Sequence, residues 1–322
     1  MPRFGRHHPI SAAREIHRTA LHNEHSVKSD ALVHYGGQSY ELPLNRFDHA
    51  GNIAMTPIAF IGFGEVGRTF AQQLIATERV QVSAYDILFD DPRQKLARIA
   101  EAEAIGVRVA PTPADACRGA RVVISAVTAA AAKTVAKAAA GYLSSGQIFL
   151  DVNSASPTTK KNSASHVEAV GARYVEGAVM AAVSGPGLKV PILAGGSSAP
   201  LAADVLNALG MNLTPVATEH GRASATKLSR SIVMKGMEAI LMQSVAAARH
   251  WGVEQEVLAS LQSTYPGIDW TKLAARCADR VGKHGVRRAQ EMREAGEMVQ
   301  DIGIDPALCL AIEDVQDRAA VR

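Results

Sequence analysis

Three glycines stand at the spacing of a dinucleotide-binding loop. They follow a short apolar run, residues 58–61, and lead into a stretch with helical character. In such loops the first glycine permits a tight turn, the second lets the backbone approach a pyrophosphate, and the third lets the helix pack on the strand. The helix N-terminus then offers free N–H groups to the phosphates. A glycine-rich turn that binds no ligand can have a similar sequence, but here a strand precedes the glycines and a helix follows them. This context predicts cofactor binding by Gly62, Phe63, Gly64, Glu65, Val66 and Gly67.

Asp86 predicts how the adenosine end of the cofactor is held. It closes the second apolar run, residues 80–85, where such folds place an acid that binds the ribose hydroxyls. Its charge would repel the 2′-phosphate of NADP, and the next residues are Ile87 and Leu88 rather than an arginine. We therefore expect NAD as the cofactor, with NADP as the alternative.

Lys227 is the candidate for proton transfer. It lies near the start of a long apolar stretch, residues 222–250, with helical character. Burial disfavours the ammonium form and lowers the pKa, so that a buried lysine can exchange protons near neutral pH. Ser231 and Lys235 follow at intervals of four residues and share its helix face. A lysine whose stem crosses apolar surface to reach water would show the same pattern.

The elements around these residues predict an α/β protein. From Pro57 to about Val216 short apolar runs alternate with helical stretches, which is typical of βαβ units around a parallel sheet. We predict a Rossmann-type domain over residues 55–221 and an all-α domain over residues 222–322. The long helix that begins the second domain is apolar nearly all round, so we expect it to be buried between layers.

The first 54 residues differ from the rest. They contain seven of the eleven histidines and no sustained apolar period. Acidic residues interrupt the arginines, which is unlike a transit peptide. We expect a polar extension outside the catalytic fold, with His7 and His8 as part of it rather than as a metal site.

The composition excludes several classes of function. Apolar residues make up 47% and charged residues 20% of the chain, and the net charge of +3 favours neither nucleic acid nor an acidic membrane as a partner. No apolar run reaches the ~20 residues of a membrane-spanning helix. The three cysteines show neither metal-ligand spacing nor a disulfide framework, so we expect no metal and a cytoplasmic location.

Together with the segment Asp-Val-Asn-Ser-Ala-Ser-Pro at residues 151–157, these motifs resemble the β-hydroxyacid dehydrogenases over residues 58–316. That family includes 3-hydroxyisobutyrate dehydrogenase, tartronate semialdehyde reductase and the NAD-binding domain of 6-phosphogluconate dehydrogenase. The resemblance implies that Asn153 and Ser154 contact a substrate carboxylate beside the nicotinamide. It also implies that Lys227 is the catalytic lysine and that substrate binds between the two domains.

The segment 151–157 allows a second interpretation. Ser156 followed by Pro157 is a common start of a helix, with the serine as its cap and the proline in its first turn. A helix start and a substrate contact are compatible, so both remain predictions.

The sequence departs from the family's pattern in three substrate contacts. Met180 replaces a serine of the family's substrate loop, and Ser231 replaces an asparagine one turn after the lysine. Gln290 and Glu291 replace a downstream Lys-Asp pair. We therefore expect a substrate other than those of the best-known members. His284 or Arg288 could supply a replacement cation, or both could be ordinary surface charges.

The resemblance implies an NAD(P)-dependent oxidoreductase that interconverts a small β-hydroxy acid and its oxo acid, with Lys227 as general acid and base. An imine reductase has a similar fold but usually lacks this lysine. A non-catalytic dinucleotide-binding sensor is compatible with the altered substrate contacts. Similar helical domains pair across subunits, so we expect a homodimer formed through the C-terminal helices, with a small anion as the substrate.

Overall fold

A computed structural model of the protein describes residues 31–35, 38–42 and 55–320. The chain divides into two compact units, Met1–Ala54 and Met55–Arg322. Among the described residues, no helix is both long and apolar enough to cross a membrane. The same residues contain no group of three or more His, Cys, Asp or Glu side chains arranged to hold a metal ion.

The first unit contains an antiparallel hairpin of β1 (Ala31–Tyr35) and β2 (Gln38–Leu42). The sequence prediction of a polar extension missed this hairpin. Gly36 and Gly37 stand between the two strands, and such a pair between short strands is a hairpin signal. His7 and His8 lie outside the described residues.

An eight-stranded sheet forms the centre of the second unit. In chain order its strands are β3 (Thr56–Ile61), β4 (Val80–Tyr85), β5 (Arg108–Val109), β6 (Val122–Ser125), β7 (Ile148–Asp151), β8 (Arg173–Val179), β9 (Ile192–Gly195) and β10 (Leu213–Ala217). They lie in the order β10-β9-β8-β7-β6-β3-β4-β5. The strands β3 to β8 all pair in parallel. The predicted Rossmann-type sheet is therefore confirmed.

The strand order reverses at β3, which fixes where a ligand can bind. The chain runs outwards from β3 through β4 to β5 and then crosses back to place β6 on the other side of β3. In such sheets the ligand binds at the carboxyl ends of the strands at this switch point. Here the N–H of Ala126, just after β6, donates to the carbonyl of Ile61 at the end of β3 (2.8 Å).

The last two strands depart from a fully parallel sheet. β9 pairs with β8 in the antiparallel sense, and β10 then pairs in parallel with β9. The connection between β8 and β9 contains a single 3₁₀ turn, Gly187–Lys189. A parallel partner would need a crossover, usually through an α-helix, and the absence of one in this connection explains the reversal.

Helices connect the strands and pack on the sheet. They are α1 (Glu65–Ile75), α2 (Lys95–Glu103), α3 (Pro113–Cys117), α4 (Ala129–Ala139), α5 (Pro157–Glu168) and α6 (Ala199–Asn207). α5 begins with Ser156 as its cap and Pro157 in its first turn, and the Ser156 hydroxyl accepts from the N–H of Thr159 (3.4 Å). The helix-start interpretation of this segment is thus confirmed.

The remainder of the second unit is helical. Its helices are α7 (Arg222–Trp251), α8 (Glu254–Thr264), α9 (Trp270–Gln300) and α10 (Ala307–Arg318). α7 lies between two glycines with left-handed backbone, Gly221 (φ +97°) and Gly252 (φ +69°), a conformation that glycine adopts without strain. α7, α9 and α10 share a core that includes Leu228, Met292 and Ile312. The predicted all-helical region is therefore confirmed.

α7 is less buried than its apolar composition predicts. Leu241 and Val245 pack inwards, but Val233, Met237 and Ile240 are 60%, 37% and 67% exposed. The expectation that this helix is buried between layers was therefore wrong for one of its faces. The exposed residues follow at steps of four and three, which places them on one side of a helix.

Candidate active site

The glycine loop after β3 has the shape that a dinucleotide requires. At Gly62, where φ is +90°, an added Cβ would lie 2.4 Å from the carbonyl oxygen of Ala126. At Gly67 it would lie 2.6 Å from the carbonyl oxygen of Gly62. Packing within the protein therefore demands these two glycines. At Gly64 a Cβ would meet nothing within 4 Å, so the bare backbone there faces open space that a pyrophosphate can approach.

The first turn of α1 is also suited to binding a dinucleotide. No side chain caps this helix at Gly64, so the N–H groups of Glu65 and Val66 are available to a phosphate. The Phe63 N–H is used differently, because it donates to a carboxylate oxygen of Asp86 (2.5 Å). The residues present at this loop therefore fit a bound dinucleotide.

Asp86 joins the glycine loop to the end of β4. One carboxylate oxygen accepts from Phe63, and the other accepts from the N–H of Leu88 (2.8 Å). An ionised carboxylate has about four acceptor positions, so two remain for the hydroxyls of a ribose. The structure thus brings Asp86 to the loop that the sequence paired it with.

A cavity of about 210 Å³ lies beside Asp86 and Gly64. Two guanidinium groups also line it, from Arg68 on α1 and Arg98 on α2, and each pairs with Glu101 (3.0 and 3.2 Å). The sequence argument against NADP considered only the residues that follow Asp86, and it missed these two cations. The cavity therefore combines two cations that would attract a 2′-phosphate with three carboxylates that oppose it, those of Asp86, Glu65 and Glu101.

A buried ionic network fixes the segment between β7 and α5. The side chains of Asp151 and Lys160 are each 1% exposed, and the Lys160 ammonium lies 2.9 Å from both a carboxylate oxygen and the carbonyl of Asp151. The hydroxyl of Tyr174 donates to the second carboxylate oxygen (2.7 Å). This network holds the loop that follows β7 against the sheet.

Within that loop the two predicted substrate residues have different surroundings. Asn153 is buried, its amide oxygen accepts from the N–H of Val127 (2.6 Å), and its amide nitrogen donates to Asp151 and Ser125. Its contacts therefore link the loops after β6 and β7. Ser154 is partly exposed and its hydroxyl contacts the Lys227 ammonium. A direct substrate contact by Asn153 remains a prediction, and the geometry favours Ser154.

A carboxylate from the sheet positions the helix that carries Lys227. Glu176 of β8 is fully buried, and its two oxygens accept from the N–H groups of Gly221 and Ser224 at the start of α7. A carboxylate at a helix N-terminus satisfies free donors and complements the helix dipole. Sequence reasoning missed Glu176, because a single acidic residue within an apolar strand does not show which residues it contacts.

Lys227 lies in a largely buried site with a carboxylate at moderate distance. Its side chain is 11% exposed, and its ammonium is 4.0 Å from a carboxylate oxygen of Glu291 on α9. Burial lowers the pKa of Lys227 to about 8, although the charge of Glu291 opposes this shift. The nearby cations Lys160, Lys235 and Arg287 lower it further.

Glu291 also binds the other polar residues of that helix face. Its second carboxylate oxygen contacts the Lys235 ammonium and lies 3.5 Å from the Ser231 hydroxyl, to which Lys235 donates (3.2 Å). The positive charges around Glu291 hold its pKa down to about 2, against the effect of burial. Ser231 and Lys227 are therefore linked by Glu291, which contacts the Ser231 hydroxyl with one oxygen and faces Lys227 with the other. Glu291 is one of the residues at which the sequence departs from the family pattern.

The two candidate replacement cations are placed differently. Arg288 pairs with Glu238 on α7 and donates to the Gln316 side chain of α10 (3.1 Å). His284 is exposed on α9. Arg288 therefore joins three helices through its own ion pair, and the structure brings neither residue to Lys227.

Comparisons with known proteins agree with this geometry. The NAD-binding domain of 6-phosphogluconate dehydrogenase matches residues 57–217, half of the chain. A domain of unknown function (DUF1932) matches residues 248–319. The two matches correspond to the sheet with its loops and to the C-terminal helices.

Solved structures extend the match over most of the chain. A conserved hypothetical protein from Sinorhizobium meliloti 1021 is 40% identical, covering 82% of this chain and 88% of that one, with a TM-score of 0.70. A conserved protein described as structurally similar to 3-hydroxyacid dehydrogenases is 32% identical, covering 82% and 96%, with a TM-score of 0.66.

Two enzymes share the fold at lower identity. 3-Hydroxyisobutyrate dehydrogenase from Mycobacterium tuberculosis is 19% identical, covering 82% of this chain and 93% of that one, with a TM-score of 0.68. A reductive aminase from Aspergillus terreus is 20% identical, covering 83% and 94%, with a TM-score of 0.54. The chain belongs to the family that carries the NAD-binding domain of 6-phosphogluconate dehydrogenase, with the 3-hydroxyacid dehydrogenase fold and a DUF1932 helical domain at its C-terminal end.

Proposed function

We propose that the protein is an NAD(P)-dependent oxidoreductase that interconverts a small β-hydroxy acid and the corresponding oxo acid. The observation that carries this proposal is the largely buried ammonium of Lys227, with its lowered pKa and its contact with Ser154. It lies beside the loop after β7, which Asn153 ties to the switch point of a sheet whose glycine loop fits a dinucleotide. A nicotinamide bound along that loop would supply or accept the hydride.

Lys227 would take the hydroxyl proton during oxidation and return it during reduction. With a pKa of about 8, both the amine and the ammonium are present near neutral pH, which suits a group that must accept and donate. Lys227 and Lys235 are buried against one carboxylate, Glu291, so the buried groups carry one positive charge in excess, and the half-exposed Arg287 adds a further cation beside Glu291. That excess charge favours a substrate with a carboxylate.

A cofactor-coupled screen tests the proposal. The panel contains small 3-hydroxy acids for oxidation and 3-oxo acids for reduction, each with NAD(H) and NADP(H). The M. tuberculosis structure was determined with L-serine, which is itself a β-hydroxy acid, so L-serine belongs in the panel. We expect turnover of at least one acid. Tight cofactor binding without turnover of any panel member would instead support a non-catalytic sensor.

An imine reductase is the alternative enzyme. The likeness in fold to a reductive aminase supports it, whereas Lys227 opposes it, because the family resemblance associates imine reductases with loss of this lysine. Cyclic imines and amine–ketone pairs in the same screen separate the two activities. Turnover of these compounds with none of the hydroxy acids would replace the proposed function.

Asp86→Ala should weaken NAD binding by roughly 10–100-fold and improve the use of NADP relative to NAD. The ribose hydroxyls would lose hydrogen bonds to a charged acceptor, worth about 1.5–3 kcal/mol, and a 2′-phosphate would lose a repelling charge. Calorimetric titration with each cofactor measures both dissociation constants.

Asp86→Asn is the matched control, because it removes the charge and keeps one oxygen that can accept from the N–H of either Phe63 or Leu88. It should shift the selectivity in the same direction with a smaller loss of affinity. An unchanged ratio of the two dissociation constants in both variants would show that Asp86 only holds the loop.

We also propose that the protein is a homodimer, with the exposed apolar face of α7 in the interface. Val233, Met237 and Ile240 form this face, and exposed apolar patches commonly mark association sites. Light scattering should give about twice the chain mass of 34.0 kDa, and Ile240→Glu should give the monomer. A wild-type monomer at micromolar concentration would contradict the proposal.

A further inference from the structure

Glu291 lies between two lysines of the same helix. Lys227 and Lys235 are eight residues apart on α7, which separates their backbones by about 12 Å along the helix axis. The side chain of Glu291 reaches between them from α9 and is 10% exposed. One carboxylate oxygen faces each lysine. A single buried negative charge therefore serves two buried cations.

The two contacts of Glu291 are unequal. Its Oε2 makes a direct ion pair with Lys235, and the Ser231 hydroxyl accepts from the same ammonium (3.2 Å). Its Oε1 stays 4.0 Å from Lys227, whose ammonium contacts the Ser154 hydroxyl instead. The carboxylate is thus held on the side of Lys235. It interacts electrostatically with Lys227 but does not form a close ion pair with it.

The proposed step involves Lys227 and gives no part to Lys235. The side chain of Lys235 is 93% buried, and its ion pair points away from the substrate position. Burying such a charge has a large desolvation cost. We propose that Lys235 and Glu291 are a positioning pair that sets how readily Lys227 releases its proton, with Lys235 holding the carboxylate away from the Lys227 ammonium. This inference rests on the proposed function of Lys227.

The other charges around Lys227 are mostly positive. Lys160 from α5 is paired with Asp151, and Arg287 from α9 lies 3.8 Å from Glu291 and is 54% exposed. Arg288 faces Lys235 but is paired with Glu238, and Glu294 accepts from the Ser156 N–H. Glu291 is therefore the carboxylate next to Lys227 among the described residues, and its charge and position control the stability of the ammonium.

The two members of the pair should act in opposite directions. Glu291→Gln removes the negative charge, so the remaining cations should lower the pKa of Lys227 below about 8. Lys235→Met removes a cation and frees the carboxylate to approach Lys227, so the pKa should rise. An opposite charge within ~4–6 Å changes a pKa by about 1–3 units, so we expect each variant to shift it by about 1 unit or more.

The test measures the titration of Lys227 without turnover. Full-length protein is treated briefly with acetic anhydride across a pH series, and acetylation of Lys227 is followed by mass spectrometry of its peptide. Each rate is taken relative to that variant's own plateau, so the midpoint reports the pKa. Glu297→Gln, an exposed carboxylate on the same helix, is the matched control and should leave the midpoint at the wild-type value.

Conservative variants separate this role from a general structural one. Glu291→Asp and Lys235→Arg keep both charges, so each should return the midpoint towards wild type and remain usable if the first variants fold poorly. Opposite shifts with such rescue support the proposal. Shifts in the same direction, or midpoints unchanged in both Glu291→Gln and Lys235→Met, overturn it.

A second readout distinguishes this failure from failure of the proposed function. The pH dependence of kcat/KM for hydroxy-acid oxidation should follow the acetylation midpoint in every variant, because the free amine accepts the proton. Opposite shifts in acetylation that the kinetic profile does not follow would leave the positioning pair intact and remove Lys227 as the proton acceptor.

Discussion

Replacing Lys227 by methionine should lower kcat by about 10²–10⁴-fold, the contribution typical of a positioned acid–base group. The affinity for NAD(P) should stay close to wild type, because the glycine loop connects β3 to α1 and Asp86 follows β4, so neither is part of α7. Both quantities are measured on the same purified variant, kcat with the best substrate of the screen and affinity by cofactor titration.

The same substitution should leave the melting temperature unchanged at pH 7 or raise it. Burial lowers the pKa of Lys227 from 10.5 to about 8, so between these values the unfolded chain binds more protons than the folded protein. The buried ammonium therefore destabilises the fold below about pH 8, and stability is regained as the pH rises from there towards 10.5. Methionine retains the apolar stem without the charge, and Glu291 keeps Lys235 as its partner.

Lys283→Met is the matched control, because this lysine is 66% exposed on α9. Lys235, which shares the helix face of Lys227, does not qualify, since it is buried and paired with Glu291. The control should leave kcat, affinity and melting temperature unchanged. A Lys227 variant that keeps more than about a tenth of the wild-type kcat would fall outside the range for an acid–base group and would end the proposed mechanism.

The parts of the site that could be predicted from sequence are those in which the signal is local. The glycine loop lies within six residues, and strand, turn and helix must follow one another for it to work. Asp86 directly follows the next strand, so its distance from the loop follows from the βαβ unit. Lys227 was found because a lysine is conspicuous at the start of an apolar helix.

The contacts that support the site could not be predicted, because they join segments that are distant in the sequence. Glu176 meets the start of α7 across 45 residues, Glu291 meets Lys235 across 56, and Glu294 meets Ser156 across 138. Each of these glutamates is a single charged residue in the sequence, and whether its side chain faces water or a buried partner depends on the tertiary packing. Arg68 and Arg98 are a similar case, since two different helices bring them to the cavity beside Asp86.

The loop that carries Ser154 depends on such a long-range support. Lys160, one turn into α5, reaches back to both the carboxylate and the carbonyl of Asp151. Asp151 in turn binds the amide of Asn153 (2.7 Å) and the hydroxyl of Tyr174. The position of Ser154 beside Lys227 therefore follows from an ion pair on the side of the loop away from solvent.

Lys160→Met should destabilise the fold by about 3–5 kcal/mol, because it leaves the Asp151 carboxylate buried without its cation. For a unit of this size we expect the melting temperature to fall by roughly 6–20 °C. Differential scanning calorimetry measures the change, and Lys161→Met, an exposed lysine at the next position, should leave the melting temperature at the wild-type value.

The double variant Lys160→Met with Asp151→Asn separates an uncompensated charge from a loss of packing. Asparagine removes the buried negative charge, its amide oxygen can still accept from Asn153, and its amide nitrogen can donate to the Tyr174 hydroxyl. Replacing both members of a buried pair is often close to neutral. The double variant should therefore regain most of the stability lost in Lys160→Met. Because Asn153 and Ser154 lie only two and three residues after Asp151, kcat should recover together with the melting temperature. A double variant no more stable than Lys160→Met would show that the lysine stem, rather than its charge, holds the loop.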